Sequence, residues 1–288
     1  MIDYDAKGFI GIIFRLRGSV FPQLLPRILV VTGVGAVAAW VEQQSHFSIA
    51  PIAHTLIGVA LGLLLVFRTN ASYDRFWEGR KLLGGIVNRS RDLVRQAAVW
   101  LADEPAPQAE VRRLVVAMVA LVHQRLRKET DLSKVAAWLS EDERKRLEPL
   151  GARAPVVATW LSQRLADRAQ HGRLSEQRLQ AMDANLTALL DAMGGAERIV
   201  KTPVPFAYAQ HIKIFVTLFC LTVPFAMSSS LHWLTPAGAA LLAFALFGID
   251  EIGVEIEEPF GYDPNDLPLD QILQGIERDT GDILGSYK

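Results

Sequence analysis

The chain has 288 residues, of which 50% are hydrophobic and 21% are charged, and its formal net charge at pH 7 is −1. This composition excludes a disordered or fibrous protein, and a net charge near zero gives no electrostatic case for nucleic-acid binding. The only cysteine, Cys220, excludes an intrachain disulfide and lies in an apolar run, where we expect it to be a small buried side chain.

Charged residues are absent from three stretches of the chain, 28–41, 43–67 and 214–249. A helix needs roughly 20 apolar residues to cross a bilayer. The last stretch is long enough for two short helices, which the polar segment 228–236 divides. The sequence therefore predicts four membrane helices in two hairpins, at roughly 26–43, 50–67, 212–229 and 235–250.

Lysine and arginine are distributed unevenly around these helices. The connections 42–50 and 228–237 contain neither residue, whereas the N-terminal arm and the region between the hairpins are rich in both. Cytoplasmic segments of membrane proteins carry an excess of Lys and Arg, so both termini and the middle region are predicted to be cytoplasmic. The alternative is a soluble helical protein with two long buried hairpins.

The fold class that these patterns predict is all-α. Within the middle region, the apolar run 114–122 is too short to cross a membrane and predicts a buried core helix. Leucines and methionines recur at three- and four-residue spacing over 179–193, which predicts an amphipathic helix. The following Gly194 and Gly195 are expected to end that helix as a C-terminal cap.

No motif of a catalytic, metal or nucleotide site is present in the sequence, and the histidines are scattered singly. We therefore expect no enzyme activity, no metal site and no cofactor. Acidic residues concentrate in 250–270, directly after the last predicted membrane helix. This segment is either a solvated acidic helix that pairs with nearby arginines or a cation-binding or docking element.

Three segments of the chain resemble the bestrophin family of ion channels, most closely its bacterial branch. They are "FRTNASYDRFWEGR" at 67–80, "TPVPFAYAQH" at 202–211 and "EEPFGYDPNDLP" at 257–268. The resemblance implies four transmembrane helices per subunit, a large cytosolic helical region and a homopentamer around a central pore. It also implies conduction of monovalent ions across a bacterial inner membrane, with chloride as the ion of eukaryotic relatives and the sign open in the bacterial branch.

The expected domain organisation follows from the membrane helices and the resemblance together. In chain order it comprises an N-terminal cytosolic arm (1–25), a first transmembrane hairpin (26–67), a cytosolic helical region (68–211), a second hairpin (212–250) and a C-terminal cytosolic loop and helix (251–288). The expected partners are further copies of the chain, membrane lipid and permeating ions, without nucleic acid.

The resemblance implies that the second membrane helix lines a narrow neck of the pore, with hydrophobic rings at Val59, Leu63 and Phe67. Their spacing of four residues independently places the three side chains on one helix face over about 12 Å. Five copies would form three stacked apolar rings, and such a constriction can gate by dewetting. The alternative is that the stripe packs against a neighbouring helix.

Charged residues follow the neck at the point where the helix is expected to leave the membrane. They are expected to form structural ion pairs, although one of them could instead face the ion path. These junction residues are Arg68, Asp74, Arg75, Glu78 and Arg80. The resemblance also places a second, cytosolic constriction near Gln177, whose polar side chain would make that exit wetter than an apolar ring.

Animal members of the family carry a calcium clasp, a run of acidic residues after "PFG". In this chain only two acidic residues remain in the corresponding run, Asp263 and Asp266; Asn265 stands beside Asp266, and Pro264 interrupts the run. Calcium prefers six to eight oxygen ligands, several of them carboxylates. The sequence therefore predicts neither a tight calcium site nor activation by calcium.

Two other functions compete with the channel. One is a membrane scaffold or regulatory subunit whose cytosolic helices bind a soluble partner. The other is a membrane enzyme that uses the acidic residues at 250–270 with a divalent metal, although no His or Cys cluster accompanies them.

Overall fold

The computed structural model describes residues 8–286, and this part of the chain is helical without any strand. The helices are α1 (Phe9–Ile13), α2 (Phe21–Ser45), α3 (Pro51–Trp100), α4 (Pro105–Leu126), α5 (Glu141–Leu147), α6 (Arg153–Gln170), α7 (Glu176–Lys201), α8 (Phe206–Leu231), α9 (Thr235–Glu257) and α10 (Leu269–Gly285), with 3-10 helices at Leu132–Val135 and His232–Leu234. The predicted all-α class is confirmed. Residues 1–7 of the predicted N-terminal arm and the last two residues of the chain lie outside the described residues.

The chain divides into two compact units. The first contains the residues up to Phe76 together with Pro203–Asp266, and the second contains Trp77–Thr202 together with the residues from Leu267 onward. The chain therefore passes from the first unit to the second within α3.

Within residues 8–286, three helical stretches are long and apolar enough to cross a membrane by length and composition, namely Phe21–Ser45, Pro51–Trp100 and Phe206–Glu257. The 3-10 turn at His232–Leu234 divides the third stretch into α8 and α9, which pack against each other. His232 has a φ of 47°, a positive value that non-glycine residues rarely adopt, and it lies at the point where the chain reverses. The prediction of four spans treats α8 and α9 as separate crossings.

The core of the first unit is formed by α2, α8, α9 and the first half of α3. Its buried side chains include Leu24, Leu61, Val216 and Phe247. A Cβ atom at Gly35 of α2 would lie 2.9 Å from the Cα of Pro236 in α9. Only glycine permits this close approach of the two helices, because any side chain at position 35 would meet the backbone of α9.

The core of the second unit is built around α4, which packs against α6, α7 and α10. All residues of the apolar run 114–122 are buried within α4. The prediction of a buried core helix at this point is therefore confirmed.

The prediction that Gly194 and Gly195 end the amphipathic helix is wrong, because α7 continues through both to Lys201. Neither glycine has the positive φ of a left-handed cap. A Cβ at Gly195 would lie 2.7 Å from Cδ2 of Leu82 in α3. The glycine therefore serves close packing between α7 and α3 instead of terminating α7.

Candidate functional site

The first half of α3 has two different faces. Val59, Leu63 and Phe67 are 71%, 55% and 55% exposed, respectively. The opposite face is buried against the other helices of the first unit, where Leu61 and Leu65 belong to the core. The three predicted neck residues thus share an outward apolar face and contribute nothing to the core of their own chain.

The glycines beside this stripe differ in their surroundings. A Cβ at Gly58 would lie 3.3 Å from Cζ of Phe219, so this glycine accommodates the aromatic ring of α8. A Cβ at Gly62 would meet no atom within 4 Å among the described residues. The space beside Gly62 is therefore open in the single chain and available to another molecule.

Arg68 directly follows Phe67 but points into the first unit. Its Nε lies 3.2 Å from Oδ1 of Asp250, and both side chains are 3% exposed. Its Nη2 lies 3.4 Å from Oε2 of Glu257 at the end of α9. Because an unpaired charge is very costly to bury, these two carboxylates are what allow an arginine at this position.

Two further ion pairs connect the end of α9 to the starts of other helices. Asp250 also accepts a hydrogen bond from Nζ of Lys213 in α8, at 3.1 Å. Glu251 accepts one from Nη1 of Arg27 in α2, at 2.7 Å. The last turns of α9 are thereby tied to α2, α3 and α8.

The other acidic side chains near the end of α9 bind residues in the connecting loops. Glu255 accepts a hydrogen bond at 2.9 Å from the side-chain amide of Asn265, which also donates to the carbonyl of Gly18 at 3.0 Å. Glu257 accepts the backbone N–H of Val204 at 3.3 Å. The structure therefore favours the interpretation of this segment as an acidic helix that pairs with its surroundings. Within residues 8–286, no group of three or more His, Cys, Asp or Glu side chains is placed to hold a metal ion.

The predicted junction residues do not form one network. Arg75 donates from Nε to the carbonyl of Glu257 at 3.1 Å, within the first unit. Glu78 accepts from Nη2 of Arg198 at 2.6 Å, within the second unit and at its surface. Asp74 is exposed and has no ion pair within the described part of the chain. The pairing thus involves separate partners on each side of the unit boundary in α3.

The loop after α9 contains a buried carboxyl group, that of Asp266. Its Oδ2 accepts the backbone N–H of Asp263 at 2.8 Å. Burial and, to a smaller extent, the nearby carboxylates of Asp263, Glu255 and Glu258 together raise the pKa of Asp266 to about 6, against the opposing effect of that hydrogen bond. A Cβ at Gly261 would lie 2.7 Å from Oδ2 of Asp266, so the loop closes over this carboxyl only with glycine there.

Gln177 lies in the first turn of α7, in the second unit, and is exposed. The hydroxyl of Ser175 caps this helix by accepting the backbone N–H of Arg178 at 3.4 Å. The capped turn fixes the backbone at Gln177 and leaves its side chain outside the core.

Comparison with known proteins identifies the family. The family described as "Bacterial/Fungal Bestrophin protein" matches residues 1–282 of the chain. The chain belongs to the bestrophin family.

Bacterial relatives of this bestrophin are similar to it over nearly the whole chain. A protein of Synechocystis sp. named "Voltage-dependent anion channel-forming protein" is 40% identical over 95% of this chain and 91% of its own length. A protein of the same name from Nostoc sp. is 38% identical over 96% of this chain and 92% of its own length. The crystal structure of a bacterial bestrophin homologue from Klebsiella pneumoniae superimposes with a TM-score of 0.87 at 30% identity, covering 91% of this chain and 98% of that one.

The family membership predicted from the three segments is confirmed, and this bestrophin is a helical membrane protein of an ion-channel family. The names of the relatives describe channel-forming proteins. Sequence reasoning missed the roles of Arg27 and Lys213 as partners of α9. The available signal was their position: each is the last charge before a long uncharged stretch, as Asp250 is the first charge after one.

Proposed function

We propose that this bestrophin is a homopentameric ion channel whose neck is formed by Val59, Leu63 and Phe67. The observation that carries the proposal is the outward exposure of these three side chains on a helix whose other face is buried in the core. Side chains on such a face can contact the same residues of other subunits around a common symmetry axis. Large exposed apolar surfaces of this kind are typical of faces that lipid or other subunits cover.

We further propose that the permeant ions are monovalent, with anions favoured. The relatives from Synechocystis and Nostoc, which are named as anion channel-forming, support this preference. Apolar rings have no preference for either sign of charge, so selectivity would depend on charged side chains and helix ends along the wider parts of the path. Gln177 is proposed to line the cytosolic exit of that path.

The proposed topology has four spans in a bacterial inner membrane, formed by α2, the first half of α3, α8 and α9. Both termini and the helical region after the neck are cytoplasmic in this arrangement. The absence of Lys and Arg from 42–50 and 228–237 supports it. The proposed domain limits remain those predicted from the sequence.

Calcium is not expected to activate this channel. In the loop that corresponds to the calcium clasp, Asn265 presents its amide nitrogen to Gly18 and Glu255, and Asp266 is engaged with the backbone of Asp263. Among residues 8–286, no three Asp, Glu, His or Cys side chains are grouped so that they could hold a cation, whereas calcium prefers several carboxylate ligands. Currents that are equal in the presence and absence of calcium would support this view, and an open probability that depends on calcium would contradict it.

The test of the proposed function is a reversal potential measured in liposomes under asymmetric KCl, because it reports conduction and its sign together. A shift towards the chloride equilibrium potential is expected. Mass measurement of the purified protein in detergent should give five times the 31.8 kDa of one chain. A monomer or dimer, or the absence of current, would contradict the channel and favour the scaffold alternative.

A further inference from the structure

A groove in the first unit lies outside the proposed ion path. It has a cavity volume of about 360 Å³ and runs between α2, α8 and α9. Its floor is apolar and buried, with Val31, Val216 and Phe247. Val30 and Leu221 extend the apolar wall towards the outer surface of the helices. The groove thus presents a hydrocarbon-like surface along three helices that can span a membrane.

Two cations lie at one end of this groove. The side chains of Arg27 and Lys213 are 44% and 47% exposed. Among the residues that the structure describes, each makes one ion pair, Arg27 with Glu251 and Lys213 with Asp250. A guanidinium has five N–H donors and an ammonium has three, so both cations retain donors for an additional anion. The Arg27 guanidinium lies 6.0 Å from the centroid of the Phe247 ring, which keeps it over the apolar floor.

We infer that this groove binds an anionic phospholipid. Its phosphate lies between Arg27 and Lys213, and an acyl chain lies along Val30, Val216 and Leu221. Basic pockets between membrane helices are typical sites for anionic lipid headgroups. In one lipid molecule, the headgroup pairs with the cations and the acyl chain covers the apolar wall. A free phosphate ion would leave the apolar wall uncovered. The inference depends on the membrane location and not on conduction.

The experiment measures binding of fluorescent phosphatidylglycerol to the full-length protein in detergent, with fluorescent phosphatidylcholine as the neutral comparison. We expect tighter binding of phosphatidylglycerol, weakened by added salt. Arg27→Gln and Lys213→Gln should each weaken it about fivefold. Val30→Gln should also weaken it, because the acyl chain loses its apolar wall while both cations remain.

Two control variants should leave the binding unchanged. Val37→Gln places the same substitution on the same helix at an exposed position outside the groove. Lys145→Gln removes an exposed cation of the second unit. Circular dichroism and size-exclusion chromatography check that each variant folds. If the Lys213 variant does not fold, the salt dependence of the unaltered protein and the Val30 variant still decide the question.

Three outcomes would overturn the inference. Equal binding of the two lipids would remove the role of the anionic headgroup. If neither cation variant changes the binding, the lipid binds elsewhere on the protein. The groove would then be assigned to contact with a second copy of the chain. Inorganic phosphate that competes fully, with no effect of Val30→Gln, would assign the cations to a free anion. Each result is obtained without recording a current and is independent of the proposed channel activity.

Discussion

The guanidinium of Arg68 lies 3.2 Å from the carboxylate of Asp250, and both side chains are almost completely buried. This ion pair fixes α3 to α9 at the residue that follows Phe67. Successive residues of a helix are rotated by about 100°, so anchoring Arg68 inside the unit also sets the direction in which Phe67 points. The geometry of the proposed neck therefore depends on a contact that lies outside the ion path.

Removal of the Arg68 charge is expected to destabilise the protein. Arg68→Gln leaves the buried carboxylate of Asp250 without its partner in α3, and breaking a buried ion pair from one side costs about 3–5 kcal/mol. Lys213 remains beside Asp250, so we expect the lower part of that range. Thermal unfolding followed by circular dichroism measures the loss. Arg80→Gln, at an exposed position of the same helix, is the control and should have little effect. Similar melting temperatures for the two variants would show that the buried pair contributes little.

A polar side chain in the middle ring is expected to increase ion flow. Leu63→Thr places five hydroxyl groups in the proposed neck, which lowers the cost of hydrating an apolar constriction. We expect the single-channel conductance in lipid bilayers to rise severalfold. Leu241→Thr makes the same change at an exposed apolar position of α9 and should leave the conductance unchanged. The neck assignment fails if both variants conduct like the unaltered protein.

Glycine at position 35 is expected to be required for the packing of α2 on α9. Gly35→Ala would place a Cβ 2.9 Å from the Cα of Pro236, and this backbone atom cannot move aside as a flexible side chain can. Overpacking of this kind costs about 1–3 kcal/mol. Gly33→Ala is a matched control on the same helix, because its Cβ would meet no atom of the described residues within 4 Å. In thermal unfolding, Gly35→Ala should have a lower melting temperature than Gly33→Ala. The reverse order would contradict the close approach of α2 and α9 at Gly35.

The stability of the first unit is expected to depend on pH through Asp266. Its pKa is about 6 in the folded protein, against an ordinary value of 3.8. Below 3.8 the carboxyl is protonated in both states. As the pH rises from 3.8 to about 6, only the unfolded state releases the proton, so the free energy of unfolding falls. Asp266→Asn, which stays neutral, should therefore melt a few degrees higher than the unaltered protein at neutral pH. The difference in melting temperature between the variant and the unaltered protein should shrink towards about pH 4. A difference that does not depend on pH would contradict the presence of a buried charge at Asp266.

The second unit is expected to show the opposite dependence through Glu143. The guanidinium of Arg113 donates to both of its carboxylate oxygens, at 2.7 and 2.9 Å, and these hydrogen bonds lower its pKa from 4.5 to about 2. The stabilisation is therefore complete above 4.5 and is lost as the pH falls towards about 2. Glu143→Gln should cost about 1–2 kcal/mol at neutral pH and less in acid.

Glu141→Gln provides the comparison for this measurement. It removes a carboxylate from the same helix, but Glu141 and its partner Lys145 are both highly exposed. Exposed pairs of this kind contribute little. Equal losses of unfolding free energy for the two variants at neutral pH would show that the contact of Glu143 with Arg113 stabilises the protein no more than an exposed ion pair does.

Much of the local structure follows directly from the sequence. Runs without charge form long apolar helices because a helix satisfies its own backbone hydrogen bonds in an apolar surrounding. The run 114–122 is recognisable as a buried core helix because it is apolar but too short to cross a membrane. The spacing of Val59, Leu63 and Phe67 fixes a common helix face, since 3.6 residues complete one turn. The order of three short segments was enough to indicate the family.

The tertiary structure decided which residues meet across long distances in the chain. Arg68 and Glu257 are 189 positions apart, and no periodicity links them. The sequence does not distinguish a glycine that caps a helix from one that permits close packing, so the role of Gly195 becomes clear only from its contact with Leu82. The high pKa of Asp266 likewise depends on the loop that folds over it. Periodicity is a property of neighbouring residues, whereas burial and charge pairing arise only when distant helices pack together.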